Sequence, residues 1–168
     1  EYNNRILVAQ GMARIRRGLA RPGILALVQQ AGRQLNQLQA TDMGFVLGPR
    51  LNAAGRLDDM SVGIECLLTN DTERAQQLAQ QLDQLNQQRR SIEGEMQEQA
   101  AIIVSQLQEA ETTELPPCVC LFQPDWHEGV VGIVASRIKE RWHRPSLVFA
   151  QGEDGLLKGS ARSMAGFH

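Results

Sequence analysis

Residues 72–109 contain no proline, and Leu78, Leu82, Leu85, Ile92, Met96, Ile103 and Leu107 recur along them at steps of three, four or seven. That period is helical. At 1.5 Å per residue, one helix over this span is about 60 Å long. Asp71 or Thr72 can cap its start. Gly94 is the one weak point, costing about 1 kcal/mol relative to Ala, and Arg89 interrupts the stripe. A narrow apolar seam on a polar helix can mean a coiled coil. Here the seam is short and separates two different compositions, so the expected role is a domain connector that packs along one side. Self-association through this helix is the structural alternative.

The stretch before the connector reads as helices. Ile6, Leu7, Met12, Ile15 and Leu19 follow helical spacing over residues 3–20, behind Asn3 or Asn4 as cap. Arg14, Arg16, Arg17 and Arg21 gather at the far end, where cations complement the helix dipole; nucleic-acid contact is the less favoured alternative. Pro22 suits the first turn of a second helix. Thr41-Asp42 suggests a further start, and Pro49 is expected to break one short helix and begin another. Ser61 is expected to cap a helix reaching Leu68.

After Leu115-Pro116-Pro117 the pattern becomes β/α. Residues 118–123 and 146–150 read as strands, 128–141 as a helix and 156–162 as a third strand after the turn 152–155. Strand, helix and strand imply a parallel pair, and the tight turn makes the third strand antiparallel to the second. The expected class is α/β, or α+β at the scale of this chain: a helical part, a long helix and a small β-α-β-β part.

The composition is that of a folded domain, at 42% hydrophobic and 21% charged residues. No apolar run approaches membrane-spanning length. Three cysteines are too few for a disulfide scaffold. Cys118 and Cys120 share a face of the first expected strand and are expected to be buried, reduced thiols. The expected setting is cytoplasmic. The net charge of −2 argues against a carpet of nucleic-acid-binding surface. Yet the basic residues are Arg apart from Lys139 and Lys158, and Arg presents a planar fork that suits phosphate.

No Walker loop, dinucleotide fingerprint or G-x-S-x-G elbow occurs. His127, His143 and His168 stand at no metal-ligand spacing, and Asp58-Asp59 suits a capping role. Three segments look suited to an anion. The first is Arg50, Asn52 and Arg56 on a Gly/Ala-rich background, with Asn52 and Arg56 on one helix face. The second is Trp126-His127-Glu128-Gly129-Val130-Val131-Gly132-Ile133-Val134, where a strand gives way to a helix whose early N–H groups favour phosphate. His127 there either donates to a phosphate or lies near a metal, or else caps the helix. The third is Lys158-Gly159-Ser160-Ala161-Arg162-Ser163, where Ser160 and Arg162 alternate with small residues and share a face. Arg162 offers a two-pronged donor there.

Gly48-Pro49-Arg50-Leu51-Asn52-Ala53-Ala54-Gly55-Arg56-Leu57, then Trp126 to Arg137, then Gly159-Ser160-Ala161-Arg162-Ser163 resemble, in order, three motifs of the RecJ family of bacterial single-strand-specific exonucleases, within the DHH phosphoesterase superfamily. The resemblance runs along essentially the whole chain and implies an internal piece of a longer protein. By it, residues 1–70 end a DHH catalytic domain, 71–110 connect, and 117–168 begin a DHH-associated domain that grips substrate. It implies a Mn²⁺- or Mg²⁺-dependent hydrolase removing nucleotides from the 5′ end of single-stranded DNA, in DNA repair and recombination. Its partners would be single-stranded DNA and, further, a single-strand-binding protein and a repair helicase, with no membrane involved.

The Asp-x-Asp and Asp-His-His metal ligands of that family are not in this sequence, so no catalytic residue, metal ligand or bound metal is expected here. The resemblance gives Arg50 and Arg56 the neutralisation of phosphate charge, and Asn52 the orienting of those arginines or of the phosphate. It sets His127 against the scissile phosphate and gives Ser160 and Arg162 the terminal 5′ phosphate. The competing expectations are a superfamily phosphodiesterase acting on short oligonucleotides or cyclic dinucleotides, and a DNA- or partner-binding module without catalysis.

Overall fold

Asp71 accepts the amide protons of Glu73 and Arg74 on its Oδ1, at 2.8 and 3.2 Å, and thereby starts the longest element of the chain. The computed structural model describes residues 2–110, 116–152 and 154–166. In it this helix, α6, runs unbroken over Thr72–Ala110, as the periodicity predicts. The chain divides into two compact units, Glu1–Gln88 and Arg89–His168.

The first unit is helical. It holds α1 (Tyr2–Arg16), α2 (Pro22–Gln30), a 3₁₀ turn (Leu35–Gln37), α3 (Ala40–Asp42), α4 (Gly48–Leu57), α5 (Ser61–Leu68) and the start of α6. Its core gathers Met12, Leu27, Val28, Leu38, Leu47, Ala54 and Cys66 against Ala75, Leu78, Ala79 and Leu82 of α6. The alanines extend the expected leucine stripe. Gly23 is where α2 meets α5: a Cβ there would overlap the Cys66 carbonyl, so only glycine admits this approach.

Four boundaries depart from expectation, each for a local reason. The first helix stops at Arg16 rather than at residue 20. Gly18 turns left-handed at φ +72°, and the Leu19 amide returns to the Arg14 carbonyl at 3.0 Å. Pro49 starts α4, as expected, but does not break the helical path before it. Residues Met43–Leu47 widen into a π-helical turn, and Pro49 falls in the first turn of α4, where its missing N–H is not required. Ser61 is not itself the cap of α5. Its amide donates to Asp59 Oδ1 at 2.9 Å, and that bond holds the Asp59 carboxyl below its ordinary range. The fourth, at the start of the helix that follows His127, bears on the candidate site.

In the second unit β1 (Val119–Gln123) pairs in parallel with β2 (Ser146–Gln151), and β2 pairs antiparallel with β3 (Leu157–Arg162). The order is β1-β2-β3, as expected. α7 (Val131–Trp142) connects β1 to β2. Val119, Leu121, Val148 and Ala150 are buried along with Val131, Val134, Ala135 and Ile138 of α7. Buried Ser146 donates to the Ala135 carbonyl at 2.7 Å, satisfying a hydroxyl that would otherwise be costly. From α6, Met96, Ala100 and Val104 are buried, Ile92 and Ile103 are half-buried and Leu107 is exposed.

The two neighbouring thiols are a correction: Cys120 is exposed and Cys118 is half-buried. The sheet buries the face of Val119 and Leu121, and the pleat turns Cys120 and Phe122 away from it. Among the described residues no helix is long and apolar enough to cross a membrane.

Candidate anion-binding site

The register of β3 decides which of its side chains meet α7. Lys158 pairs with Ala150, Ser160 with Val148 and Arg162 with Ser146, so these three lie on the buried face of the sheet. Gly159 and Ala161 lie on the other, and a Cβ at 159 would enter the ring of Phe149.

Arg162 is held by three bonds. Its Nε donates to Ser136 Oγ at 3.0 Å, and its Nη1 donates to Ser160 Oγ at 2.6 Å and to the Ala161 carbonyl at 2.8 Å. Those bonds use three of the five guanidinium N–H groups and leave the two on Nη2. The expected two-pronged donor is therefore turned inward, and a ligand would meet Nη2. Ser160 accepts from the guanidinium, so its own hydroxyl hydrogen remains available to an anion.

Gly132, in the first turn of α7, completes the site. A Cβ built on it would stand 3.1 Å from Arg162 Nη2 and 3.3 Å from Ser160 Oγ. The first N–H groups of an α-helix lack intrahelical acceptors and carry its positive dipole end. Thus Ser160, Arg162 and the N-terminal turn of α7 come together, as the alternation and the glycines predict. Gly132→Ala should displace the flexible tip of Arg162 rather than the backbone. We expect thermal stability to change little and phosphate affinity to fall several-fold; titration with a 5′-phosphorylated oligonucleotide alongside a melting curve checks both.

Lys158 adds no open charge. Its Nζ donates to Glu128 Oε1 at 3.2 Å, lies 3.0 Å from Oε2 and has Asp154 Oδ2 at 3.7 Å. The Glu128 bond, with Asp154 nearby, pushes the ammonium pKa up.

His127 sits in the turn that delays α7 to Val131, three residues later than expected. Its Nδ1 accepts the Gly129 amide at 3.1 Å, and its carbonyl accepts the Val130 amide at 3.0 Å. The ring thus closes the turn ahead of α7 and does not cap the helix, whose N-cap position is Val130 with no side-chain cap bond. A neutral ring in that bond carries its proton on Nε2. The neighbouring indole of Trp126, buried, donates from Nε1 to Gln99 Oε1 at 2.6 Å, tying this turn to α6. Glu93 accepts from Arg89 and Gln97 within α6 at 2.8 and 3.0 Å, and from Arg137 of α7 at 3.5 Å.

The first segment, in the other unit, is not arranged as a cluster. Arg50 forms a mostly buried ion pair, Nε to Asp83 Oδ1 at 2.8 Å, and donates from Nη1 to the Val46 carbonyl at 2.7 Å. Asn52 and Arg56 are exposed on the side of α4 away from buried Ala53 and Ala54. Two positions apart on a helix, Arg50 and Asn52 point about 200° from each other.

Sequence reasoning missed Ser136 as an Arg162 partner, although the step of four from Gly132 puts both on one face of α7. It missed Asp83 for want of any local signal. Among the described residues no three His, Cys, Asp or Glu side chains gather as a metal site. The described residues do not fit the metal pair that the resemblance implies.

Residues 99–168 match the family model of the DHHA1 domain. Along its full length the chain is 58% identical to the single-stranded-DNA-specific exonuclease RecJ of Dickeya dadantii, covering 29% of that protein. The crystal structure of Thermus thermophilus RecJ in complex with Mg²⁺ superposes with a TM-score of 0.78 at 34% identity, over 97% of this chain and 24% of that one. A structure of exonuclease RecJ bound to manganese does so with a TM-score of 0.79 at 35% identity, over 97% and 38%. The chain is related to RecJ proteins throughout its length and spans less than a third of the curated relative.

Proposed function

We propose that this chain is the substrate-gripping portion of a single-strand-specific 5′-to-3′ DNA exonuclease, a metal-dependent hydrolase of the DHH superfamily acting in DNA repair and recombination in the cytoplasm. Residues 1–70 close the catalytic domain, 71–110 connect, and 117–168 form part of the DHH-associated domain. The observation that carries the proposal is Ser160 and Arg162 held beside the first turn of α7. A hydroxyl, one guanidinium nitrogen and helix-end amides there make a site for a phosphate oxygen cluster. His127 would present Nε2–H to a phosphate. Exposed Asn52 and Arg56 would face the strand, whereas Arg50 would act mainly by supporting α4. Mn²⁺ or Mg²⁺, present in the solved relatives, would be held outside the described residues.

Purified chain should bind a single-stranded oligonucleotide with an affinity that falls as salt rises, and should favour a 5′-phosphorylated end. It should show no turnover with Mn²⁺. Binding to single and double strands, and phosphorylated and hydroxyl ends, measured across a salt series, tests the first part. Indifference to all three variables would refute it. Sustained multiple turnover that survives further purification would overturn the second.

A further inference from the structure

Ser136 is the side chain of α7 that bonds Arg162, and the bonds around it have a direction. Its Oγ donates to the Gly132 carbonyl at 3.1 Å, one helical turn back on α7. With that hydrogen committed, the lone pairs face outward, and Arg162 Nε donates to them at 3.0 Å. Nε carries a single hydrogen, so this bond fixes the plane of the guanidinium. Ser160 and the Ala161 carbonyl then occupy both hydrogens of Nη1. Nη2 is left beside Gly132, where the absent Cβ makes room for it.

We propose that Ser136 is a positioning residue: it locks Arg162 so that Nη2, rather than the two-pronged edge, is presented to the phosphate beside the first turn of α7. The inference rests on the proposal that Arg162 grips phosphate and adds how its geometry is set. An exposed arginine on a three-stranded sheet would otherwise sample many rotamers, and ordering it on binding weakens affinity. Ser136 removes that loss beforehand by holding the side chain in its binding pose. Position 136 therefore matters for the strength of binding although its hydroxyl is spent on the protein.

Two measurements on the whole chain test this. The first is the ¹⁵N–¹H signal of Arg162 Nε, assigned by its loss in Arg162→Lys. In the unsubstituted protein it should exchange slowly with water, and Ser136→Ala should speed that exchange without moving the melting temperature. Ser136→Thr, which keeps the hydroxyl, should restore it. An Nε signal that is unaffected by Ser136→Ala overturns the proposal.

The second is affinity for a 5′-phosphorylated single-stranded oligonucleotide. One hydrogen bond of orientation is worth about three- to tenfold, so Ser136→Ala should weaken binding by that factor. It should have no further effect in an Arg162→Ala background. Ser136→Cys, close in volume and a poor acceptor, should behave as Ser136→Ala does and covers the case in which the alanine variant fails to fold. If Arg162→Ala weakens binding but Ser136→Ala does not, or if the two effects add, the positioning role is wrong and the phosphate site stands. If Arg162→Ala itself leaves affinity unchanged, the phosphate site fails and the positioning role falls with it.

Discussion

Asp83→Ala should destabilise the first unit by about 3–5 kcal/mol. The Arg50 guanidinium and the Asp83 carboxylate are both nearly removed from water, at 13% and 10% side-chain exposure, and meet at 2.8 Å. Gln87 donates to the other Asp83 oxygen at 2.8 Å, and the Val46 carbonyl receives Arg50 Nη1, so both ions are well supplied with partners. Removing the carboxylate leaves a buried cation that cannot lose its proton, which is costlier than never having had the pair. Arg50→Leu combined with Asp83→Leu should therefore recover much of the loss. Thermal or urea unfolding of the unsubstituted protein, Arg50→Leu, Asp83→Leu and the double variant completes the cycle. If Arg50 instead serves mainly as a phosphate clamp, Asp83→Ala will leave stability nearly intact, and Arg50→Ala will weaken DNA binding without lowering the unfolding midpoint.

Arg50 also shows where the sequence stops being legible. An arginine in a Gly/Ala-rich segment looks the same whether it faces solvent or a carboxylate thirty-three residues onward. Asp83 lies on a helix whose polar positions are mostly Gln, Glu, Asp, Asn or Arg and carries no local mark. Long-range ion pairs have no period. Much of what does have a period was read correctly: the apolar stripe of α6, the strand alternation that places Ser160 and Arg162 together, and the parallel-then-antiparallel sheet, although the buried face of β1 is that of Val119 and Leu121 and not that of Cys118 and Cys120.

The departures are local competitions. Gly18 ended a helix that the leucine spacing would have continued to Leu19. A π turn absorbed Pro49, since a chain can widen as well as break. The ring of His127 took the Gly129 amide and delayed α7. At Arg162 the residue type and face were legible and the direction of its nitrogens was not, because the serine that sets that direction comes from another element.

Arg162→Ala should cost about ten- to a hundredfold in kcat/KM on 5′-phosphorylated single strands, and less on 5′-hydroxyl ones. The test is made in a full-length exonuclease of this family that carries these residues. Loss of a charge-assisted hydrogen bond is worth roughly 1.5–3 kcal/mol. A terminal monoester carries more negative charge than the diesters behind it, so the contact counts most where the strand ends in phosphate. Truncation also frees Ser136 and Ser160, but both are partly open to water and remain satisfied, so the stability cost is small beside the kinetic one. Arg162→Lys should recover only part of the loss. An ammonium keeps the charge but cannot hold Ser136, Ser160 and the Ala161 carbonyl while still presenting a donor beside Gly132. Equal losses on both substrates would mean that Arg162 grips an internal phosphate or serves the fold. No loss on either would remove it from the site and leave its three bonds as a clasp between β3 and α7.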